Sequence, residues 1–163
     1  MKTAQADTLQ ILEKVIFLKK SMLFSAMRTA ELRAIAAVAE ELSFSDNDAI
    51  VRENDIGDSM YLIRTGEVAI VKGSGGEERV ELARLSAGDC FGEMAVFDTE
   101  YRSAGAFAQG ICTILRISSD DLVDVIHEQP NVALGLLRIF VRRLKKADEV
   151  IHKLTVDGRR RVG

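Results

Sequence analysis

Helical periodicity occurs near both ends of the chain, and short apolar runs lie between. Residues 8–20 form the first predicted helix, because apolar residues recur there at spacings of three and four. These apolar residues are Leu9, Leu12, Val15 and Ile16. A second helix is predicted from an N-cap at Thr29 to about residue 41. Its predicted buried face consists of Leu32, Ile35, Ala36 and Ala39.

Between residues 42 and 117 the helical periodicity gives way to short strands separated by turn residues. The predicted strands are residues 42–44, 49–52, 59–64, 67–72, 79–85, 90, 105–108 and 112–117. Glycine-containing turns separate several of them, since glycine adopts a positive φ without a steric penalty. Short strands at this spacing predict a β-roll or jelly-roll-like barrel, whose core we expect within residues 42–117.

Helical periodicity returns after the polar segment 118–121, which is predicted to cap a short helix over residues 122–128. Pro130 then begins a long helix that is predicted to run to about residue 154. The whole pattern predicts an α+β fold. In the predicted fold, an antiparallel β-roll is flanked by N-terminal helices and by one long C-terminal helix.

Composition narrows the class of protein and its partners. The 163 residues suffice for one domain with a core, and 47% hydrophobic with 29% charged residues is typical of globular proteins. A net charge of −3 argues against a protein-wide nucleic-acid footprint. No apolar run reaches the roughly 18–20 residues of a membrane span. Cys90 and Cys112 lack metal-ligand spacing, so we expect a reduced, cytoplasmic setting with no metal and no cofactor.

The candidate chemistry lies in residues 91–104. Gly92 lets the backbone approach a ligand closely, and a helical turn predicted to begin near it offers unpaired N–H groups to an anion. Arg102 supplies a planar fork of donors that suits phosphate oxygens, and Ser103 adds a hydroxyl donor. Glu93 can only accept, which suits a ligand hydroxyl such as a sugar 2′-OH.

These residues also have ordinary structural interpretations. Arg102 could form a surface ion pair worth at most about 1 kcal/mol, and Glu93 could simply cap a helical turn. An acceptor and a fork donor that flank the same predicted hairpin nevertheless favour a shared ligand.

Residues 91–104 resemble the phosphate-binding cassette of the cyclic-nucleotide-binding domain family, found in catabolite activator proteins, kinase regulatory subunits and gated channels. Residues 57–68 are similar to the family's strand–turn–strand signature, and residues 85–93 to its turn into the cassette. The resemblance implies three parts: an N-terminal amphipathic helix in residues 1–21, the binding domain in 22–155, and a basic, disordered tail in 156–163.

The resemblance also implies a set of ligand-binding residues: Phe91, Gly92, Glu93, Met94, Ala95, Arg102, Ser103 and Arg143. The chain departs from the family at three positions, which are Tyr101, Gly105 and Ala147. Relatives often carry a proline or a polar residue at the first, a threonine at the second and, in some, an adenine-contacting threonine at the third. Recognition of phosphate and ribose is therefore better supported than recognition of the base.

The function implied is a sensory domain that binds cyclic AMP in preference to cyclic GMP and performs no chemistry on it. Ligand binding would move the C-terminal helix to signal to a partner, and that helix could pair with a second copy as a homodimer. The nine residues after Leu154 are too few for a helix-turn-helix reader of about 60 residues, so we expect no direct DNA reading by this chain. The alternative is a degenerate fold of this kind that has lost its ligand and serves as a docking or dimerisation module.

Overall fold

The computed structural model describes the backbone of residues 2–73, 78–97 and 101–160. Helices and strands follow one another in the order expected from the sequence. They are α1 (Lys2–Lys20), α2 (Thr29–Val38), β1 (Glu40–Phe44), β2 (Ala49–Val51), β3 (Ser59–Lys72), β4 (Val80–Leu85), β5 (Cys90–Phe91), a 3-10 helix (Met94–Val96), β6 (Gly105–Ser118), α3 (Ser119–Glu128) and α4 (Asn131–Arg160).

The strands form an antiparallel β-roll around two long central strands. The hydrogen-bonded order is β1-β6-β3-β4, and β2 also pairs with β6 while β5 pairs with β3. Strands β3 and β6 pair from Ser59 with Ser118 as far as Val71 with Gly105, so they form the spine of the roll. The predicted α+β fold, with helices on both sides of the roll in sequence, is confirmed.

The two central strands are continuous where the sequence predicted breaks. Thr65 pairs with Thr113 and Glu67 with Gln109, so β6 carries extra residues opposite Gly66 and bulges there. Gly66 has φ +87°, and a Cβ on it would lie 2.6 Å from the carbonyl oxygen of Ile111. Glycine therefore bends the paired strands at this point and does not end them.

Buried apolar residues form two clusters. The first fills the roll itself, as expected for residues 42–117, and consists of Tyr61, Ile63, Val68, Phe91, Ala106, Ala108, Cys112 and Ile114. The second joins one side of the roll to all four α-helices, with Leu18, Leu32, Leu62, Leu122 and Val132 among its members. The helices therefore share a core with the roll.

Helix α1 buries only one of the four apolar residues that defined its periodicity in the sequence. Val15 is buried as expected, but Leu9, Leu12 and Ile16 are 60%, 44% and 56% exposed, and Leu18 is buried in their place. The helix carries two overlapping apolar stripes, and spacing alone does not decide which of them packs against the core.

Helix α2 buries the predicted face, but its ends differ from the prediction. It is capped at Arg28, not Thr29, and the Glu31 carboxylate accepts a hydrogen bond from the Arg28 N–H at 3.0 Å. It ends at Val38, not near residue 41, because β1 begins at Glu40.

The C-terminal helices divide into a packed part and an exposed part. Helix α4 begins at Asn131, directly after Pro130, and continues to Arg160, beyond the predicted end at residue 154. Val132 and Leu136 are buried, whereas Leu144 is 64% exposed. Residues 161–163 lie outside the described residues, and the predicted division of the chain at 21 and 155 remains a prediction. None of the described helices is both long and apolar enough to cross a membrane.

Candidate functional site

A cavity of about 290 Å³ lies between the 3-10 helix and the inner wall of the roll. Its lining residues are Val51, Ile70, Phe91, Gly92, Glu93, Met94, Ala95, Tyr101, Arg102, Ser103, Ala104 and Ala106. All predicted ligand-binding residues from Phe91 to Ser103 are among them. The side chain of Arg143, the remaining predicted residue, lies outside the described residues.

Three strands supply the apolar wall of this cavity. Ala106 on β6 pairs with Val51 on β2 and with Ile70 on β3, so the three side chains lie on the same face of the sheet. Ala106 is fully buried. Its small side chain leaves the space that a larger residue would fill, and the wall beside the polar rim stays apolar.

Arg102 is held in place by its own backbone. Its N–H donates to the carbonyl oxygen of Asp55 at 2.8 Å, and its carbonyl oxygen accepts from the N–H of Asn54 at 2.8 Å. Both partners belong to the turn that connects β2 with β3. The arginine is therefore fixed to the roll independently of the 3-10 helix.

The guanidinium group of Arg102 rests on backbone carbonyls and an aromatic ring. Nη2 donates to the carbonyl oxygen of Ser59 at 2.6 Å, and Nη1 donates to that of Gly92 at 3.4 Å. The guanidinium carbon lies 5.7 Å from the ring centroid of Tyr61. A guanidinium has more N–H donors than these two hydrogen bonds use.

Arg102 is a buried cation without a carboxylate partner in the described part of the chain. The residue is only 8% exposed. The ion pairs found between described residues involve Arg64, Arg84 and Arg116 instead. An unpaired buried charge costs free energy, so an anion in the cavity would be stabilised there.

Gly92 makes room for this arginine. Its φ is +73°, and a Cβ on it would lie 2.5 Å from Nη1 of Arg102 and 3.1 Å from the Ser59 carbonyl oxygen. The sequence predicted that Gly92 allows close approach of a ligand. In the structure, the group that closely approaches Gly92 is the guanidinium of Arg102.

The remaining predicted residues lie along the short helical turn and at the rim. The turn is a 3-10 helix capped at Glu93 and covering Met94–Val96, so it begins slightly later than predicted. Met94 is 72% exposed and Ala95 is buried. Ser103 is exposed, and Glu93 is half-buried. The carboxylate and the hydroxyl therefore lie where a ligand can reach them.

Two further residues support the site and were not predicted from the sequence. Ser59 supplies the carbonyl oxygen that accepts from Arg102. Tyr61 stacks on Phe91 with ring centroids 5.1 Å apart and planes at 14°. Both lie in residues 57–68, whose similarity to a family signature was the one available signal. Because Ser59 contributes only its backbone carbonyl oxygen to this hydrogen bond, its residue type does not indicate the contact.

The end of the 3-10 helix connects the cavity to both C-terminal helices. The hydroxyl of Ser119 in α3 donates to the carbonyl oxygen of Val96 at 2.7 Å. Phe97 contacts Phe140 of α4 edge to face, with centroids 5.7 Å apart. A movement of this segment would therefore change its contacts with α3 and α4.

A larger groove of about 590 Å³ lies on the outer face of the roll, lined by residues that include Arg79, Glu81 and Phe107. Two of its charged groups, Glu81 and Arg79, already have partners. Glu81 pairs with Arg84 at 3.0 Å, and the guanidinium of Arg79 lies 5.6 Å from the ring centroid of Phe107. We regard the smaller cavity as the candidate functional site because it contains a buried arginine without a counter-charge in the described structure.

Comparison with known proteins gives a consistent result. The family model described as "Cyclic nucleotide-binding domain" matches residues 41–129, more than half of the chain. The Cyclic AMP receptor protein of Thermus thermophilus is 31% identical over 144 residues, which cover 88% of this chain and 66% of that protein. The Cyclic nucleotide-gated channel alpha-2 of Bos taurus is 32% identical over 120 residues, which cover 70% of this chain and 18% of the channel. The chain thus spans less than two thirds of the length of these relatives.

Solved structures of similar fold include regulators of two kinds. The N-terminal domain of a transcriptional regulator from Streptomyces coelicolor superposes with a TM-score of 0.74 at 27% identity, covering 83% of this chain and 94% of that one. The regulatory domain of Toxoplasma gondii PKA, crystallised with cAMP, superposes with a TM-score of 0.73 at 27% identity, covering 89% of this chain and 52% of that one.

Proposed function

Because the chain belongs to the cyclic nucleotide-binding domain family, we propose that its 290 Å³ cavity binds a cyclic nucleotide. The observation that carries this proposal is Arg102. It is buried in the cavity wall, its guanidinium contacts backbone carbonyls and a ring among the described residues, and no described carboxylate pairs with it. The phosphate of the ligand would supply the missing negative charge.

The charges of the cavity favour a phosphodiester over a phosphomonoester. Its described lining contains one cation, Arg102, and one carboxylate, Glu93. A cyclic phosphodiester carries a single negative charge, whereas a phosphomonoester carries about −1.5 to −2 at pH 7. A monoanion is balanced by the single arginine, and the additional charge of a linear 5′-nucleotide would lie near Glu93 without a partner.

The remaining lining residues suit the other parts of a nucleotide. We assign the carboxylate of Glu93 to the ribose 2′-OH and the hydroxyl of Ser103 to a phosphate oxygen. The apolar wall of Val51, Ile70 and Ala106 would contact the sugar. Phe91, Gly92, Met94 and Ala95 would bind through close backbone approach and apolar contact, and Arg143 would approach the base from α4.

We propose cyclic AMP as the preferred ligand. The support comes from similar proteins: one relative is named a cyclic AMP receptor protein, and one similar structure was crystallised with cAMP. We propose that the chain recognises this ligand and does not transform it, because the arginine, carboxylate and hydroxyl of the lining match groups that the ligand already has.

We also propose that ligand binding repositions α4. Phe97 follows the 3-10 helix directly and contacts Phe140 on α4. A shift of the cassette would therefore move the surface on which α4 packs. The exposed residues Leu137, Val141, Leu144 and Ile151 recur at spacings of three, four and seven along the same helix. We propose this stripe as the contact with a second copy, in a homodimer.

A thermal-shift experiment tests the ligand proposal. The intact chain is heated with cyclic AMP, cyclic GMP or their linear 5′-monophosphates. At about 100 times Kd, a bound ligand adds about 2.7 kcal/mol of stability, which raises Tm by roughly 5–11 °C for a domain of this size. We expect a shift with cyclic AMP, a smaller one with cyclic GMP and little with the linear compounds. No shift with either cyclic nucleotide at millimolar concentration, in a folded protein, would favour a docking module without ligand.

A further inference from the structure

Helix α3 is attached through its first residue to two segments that lie beside the cavity. The hydroxyl of Ser119 donates to the carbonyl oxygen of Val96 at 2.7 Å, and its backbone N–H donates to the carbonyl oxygen of Asp58 at 2.7 Å. One residue thus binds two separate segments that surround the candidate site.

Both acceptors are adjacent in sequence to residues that line or support the candidate site. Val96 ends the 3-10 helix whose first residues line the cavity. Asp58 precedes Ser59, whose carbonyl oxygen accepts the 2.6 Å hydrogen bond from Arg102. An anion that draws on the guanidinium or on the 3-10 helix therefore acts within one residue of each contact of Ser119.

The neighbouring serine has a different role. Ser118 is the N-cap of α3, and its hydroxyl accepts a hydrogen bond from the N–H of Asp121 at 3.1 Å. This bond stabilises the helix from within. The hydroxyl of Ser118 therefore stabilises α3 itself, whereas the hydroxyl of Ser119 attaches α3 to the cassette. A substitution of either serine is a control for a substitution of the other.

We infer that Ser119 is a positioning residue that transmits occupation of the cavity to α3 and α4. The inference rests on the proposed function, since it concerns the response to the same ligand. Helix α3 shares its core cluster with Val96 through Leu122 and Val125, and the start of α4 enters that cluster through Val132. The Ser119 hydroxyl adds a directional link to these apolar contacts, so that the cassette and the helices move together.

The test compares three variants with the wild-type chain by hydrogen exchange, with and without cyclic AMP. Ser119→Ala removes the hydroxyl and keeps the N–H bond to Asp58. Ser119→Thr keeps a hydroxyl at the same position. Ser118→Ala removes the cap and leaves the Ser119 hydroxyl untouched. Two readouts are recorded: the ligand-induced change in protection within residues 91–97, and the change within α4.

We expect Ser119→Ala to keep the change in residues 91–97 and to lose part of the change in α4, since the contact between Phe97 and Phe140 remains. Ser119→Thr should restore the α4 response. Ser118→Ala should lower Tm and keep an α4 response of wild-type size, because its defect is one of stability alone.

The outcomes that overturn the inference differ from those that overturn the proposed function. A wild-type response in α4 of Ser119→Ala, or an equal loss in Ser118→Ala, contradicts the role of Ser119 alone. An α4 that never responds while residues 91–97 do contradicts both the role of Ser119 and the proposed movement of α4, but not ligand binding. A wild-type chain whose residues 91–97 do not respond to cyclic AMP contradicts the proposed function and the inference together.

Discussion

Arg102 donates to two backbone carbonyls, and a phosphate must share its guanidinium with them. The bond to Ser59 is short at 2.6 Å, and the bond to Gly92 is long at 3.4 Å. We therefore expect the contact with Gly92 to yield to a ligand first, while Ser59 and the backbone bonds to Asn54 and Asp55 hold the arginine in place.

Gly92→Ala tests the space beside this arginine. The added Cβ would lie 2.5 Å from Nη1 of Arg102, and the φ of +73° is unfavourable for alanine by about 1–2 kcal/mol. We expect cyclic AMP affinity in titration calorimetry to fall at least about tenfold, a loss of about 1.4 kcal/mol.

Gly110→Ala is the matched control for this prediction. Gly110 has nearly the same φ, +74°, but a Cβ there has no neighbour within 4 Å. It should show a comparable loss of stability with unchanged affinity. Equal losses of affinity in both variants would mean that backbone strain, and not displacement of Arg102, explains the effect.

Glu93→Gln tests the assignment of the carboxylate to the ribose. The substitution keeps the shape of the side chain and removes its charge, and hydrogen bonds to charged groups are worth about 1.5–3 kcal/mol against about 1 for neutral ones. In a competition assay we expect weaker binding of cyclic AMP and an almost unchanged affinity for its 2′-deoxy analogue. Equal losses for both ligands would leave Glu93 with a structural role only.

At the residue scale, the sequence predicted those residues of the candidate site that lie close together in one segment of the chain. Phe91, Gly92, Glu93, Arg102 and Ser103 lie within one short segment, so their shared cavity followed from the motif. Partners that reach the site through strand pairing did not follow from it. Tyr61 arrives because it pairs with Phe91 across β3 and β5, and a register of this kind is not visible in residue types.

At the element scale, α4 serves two purposes that the hydrophobic pattern did not separate. Its first turns belong to the core, and Gly135 lies so close to Met27 that a Cβ would be 2.7 Å from Cε. Its later turns leave Leu144 and Ile151 exposed. The same apolar periodicity runs through the packed turns and the exposed turns of α4. Periodicity predicts an apolar face on a helix, but it does not predict what packs against that face.

Shortening α4 tests whether its exposed turns contribute to ligand binding. A cut after residue 128 would also remove Val132 and Leu136 from the core, so it would confuse binding with stability. A cut after residue 140 keeps them, together with Phe140. We expect an almost unchanged Tm without ligand. Cyclic AMP affinity should fall by roughly one to two orders of magnitude. The removed turns would otherwise bury apolar surface against the ligand, and such contact contributes about 25 cal/mol per Å².

Calorimetry and thermal unfolding of the shortened chain, beside the intact one, decide this prediction. If the shortened chain is as stable and binds cyclic AMP as tightly as the intact chain, the exposed part of α4 does not cover the ligand.

At the scale of the whole molecule, the roll fixes the arginine and the helices share its core. Pairing of β3 with β6 and the turn between β2 and β3 hold Arg102, while α3 and α4 contact the end of the cassette at Val96 and Phe97. Under the proposed function, recognition therefore lies on the roll and the response on the helices joined to it. The order of elements was predictable from the sequence, but the joint core of helices and roll was not.

The most direct measurement of the central claim is calorimetric titration of cyclic AMP into the wild-type chain, Arg102→Lys and Arg84→Lys in parallel. Lysine keeps the charge of Arg102 and loses its planar fork. Arg84 pairs with Glu81 on the outer face, so its substitution makes the same chemical change away from the cavity. We predict that Arg84→Lys binds like wild type. Arg102→Lys should lose about 1.5–3 kcal/mol of binding free energy, while the protein without ligand stays folded. An affinity of Arg102→Lys within about twofold of wild type, less than about 0.5 kcal/mol, would contradict a phosphate site built on Arg102.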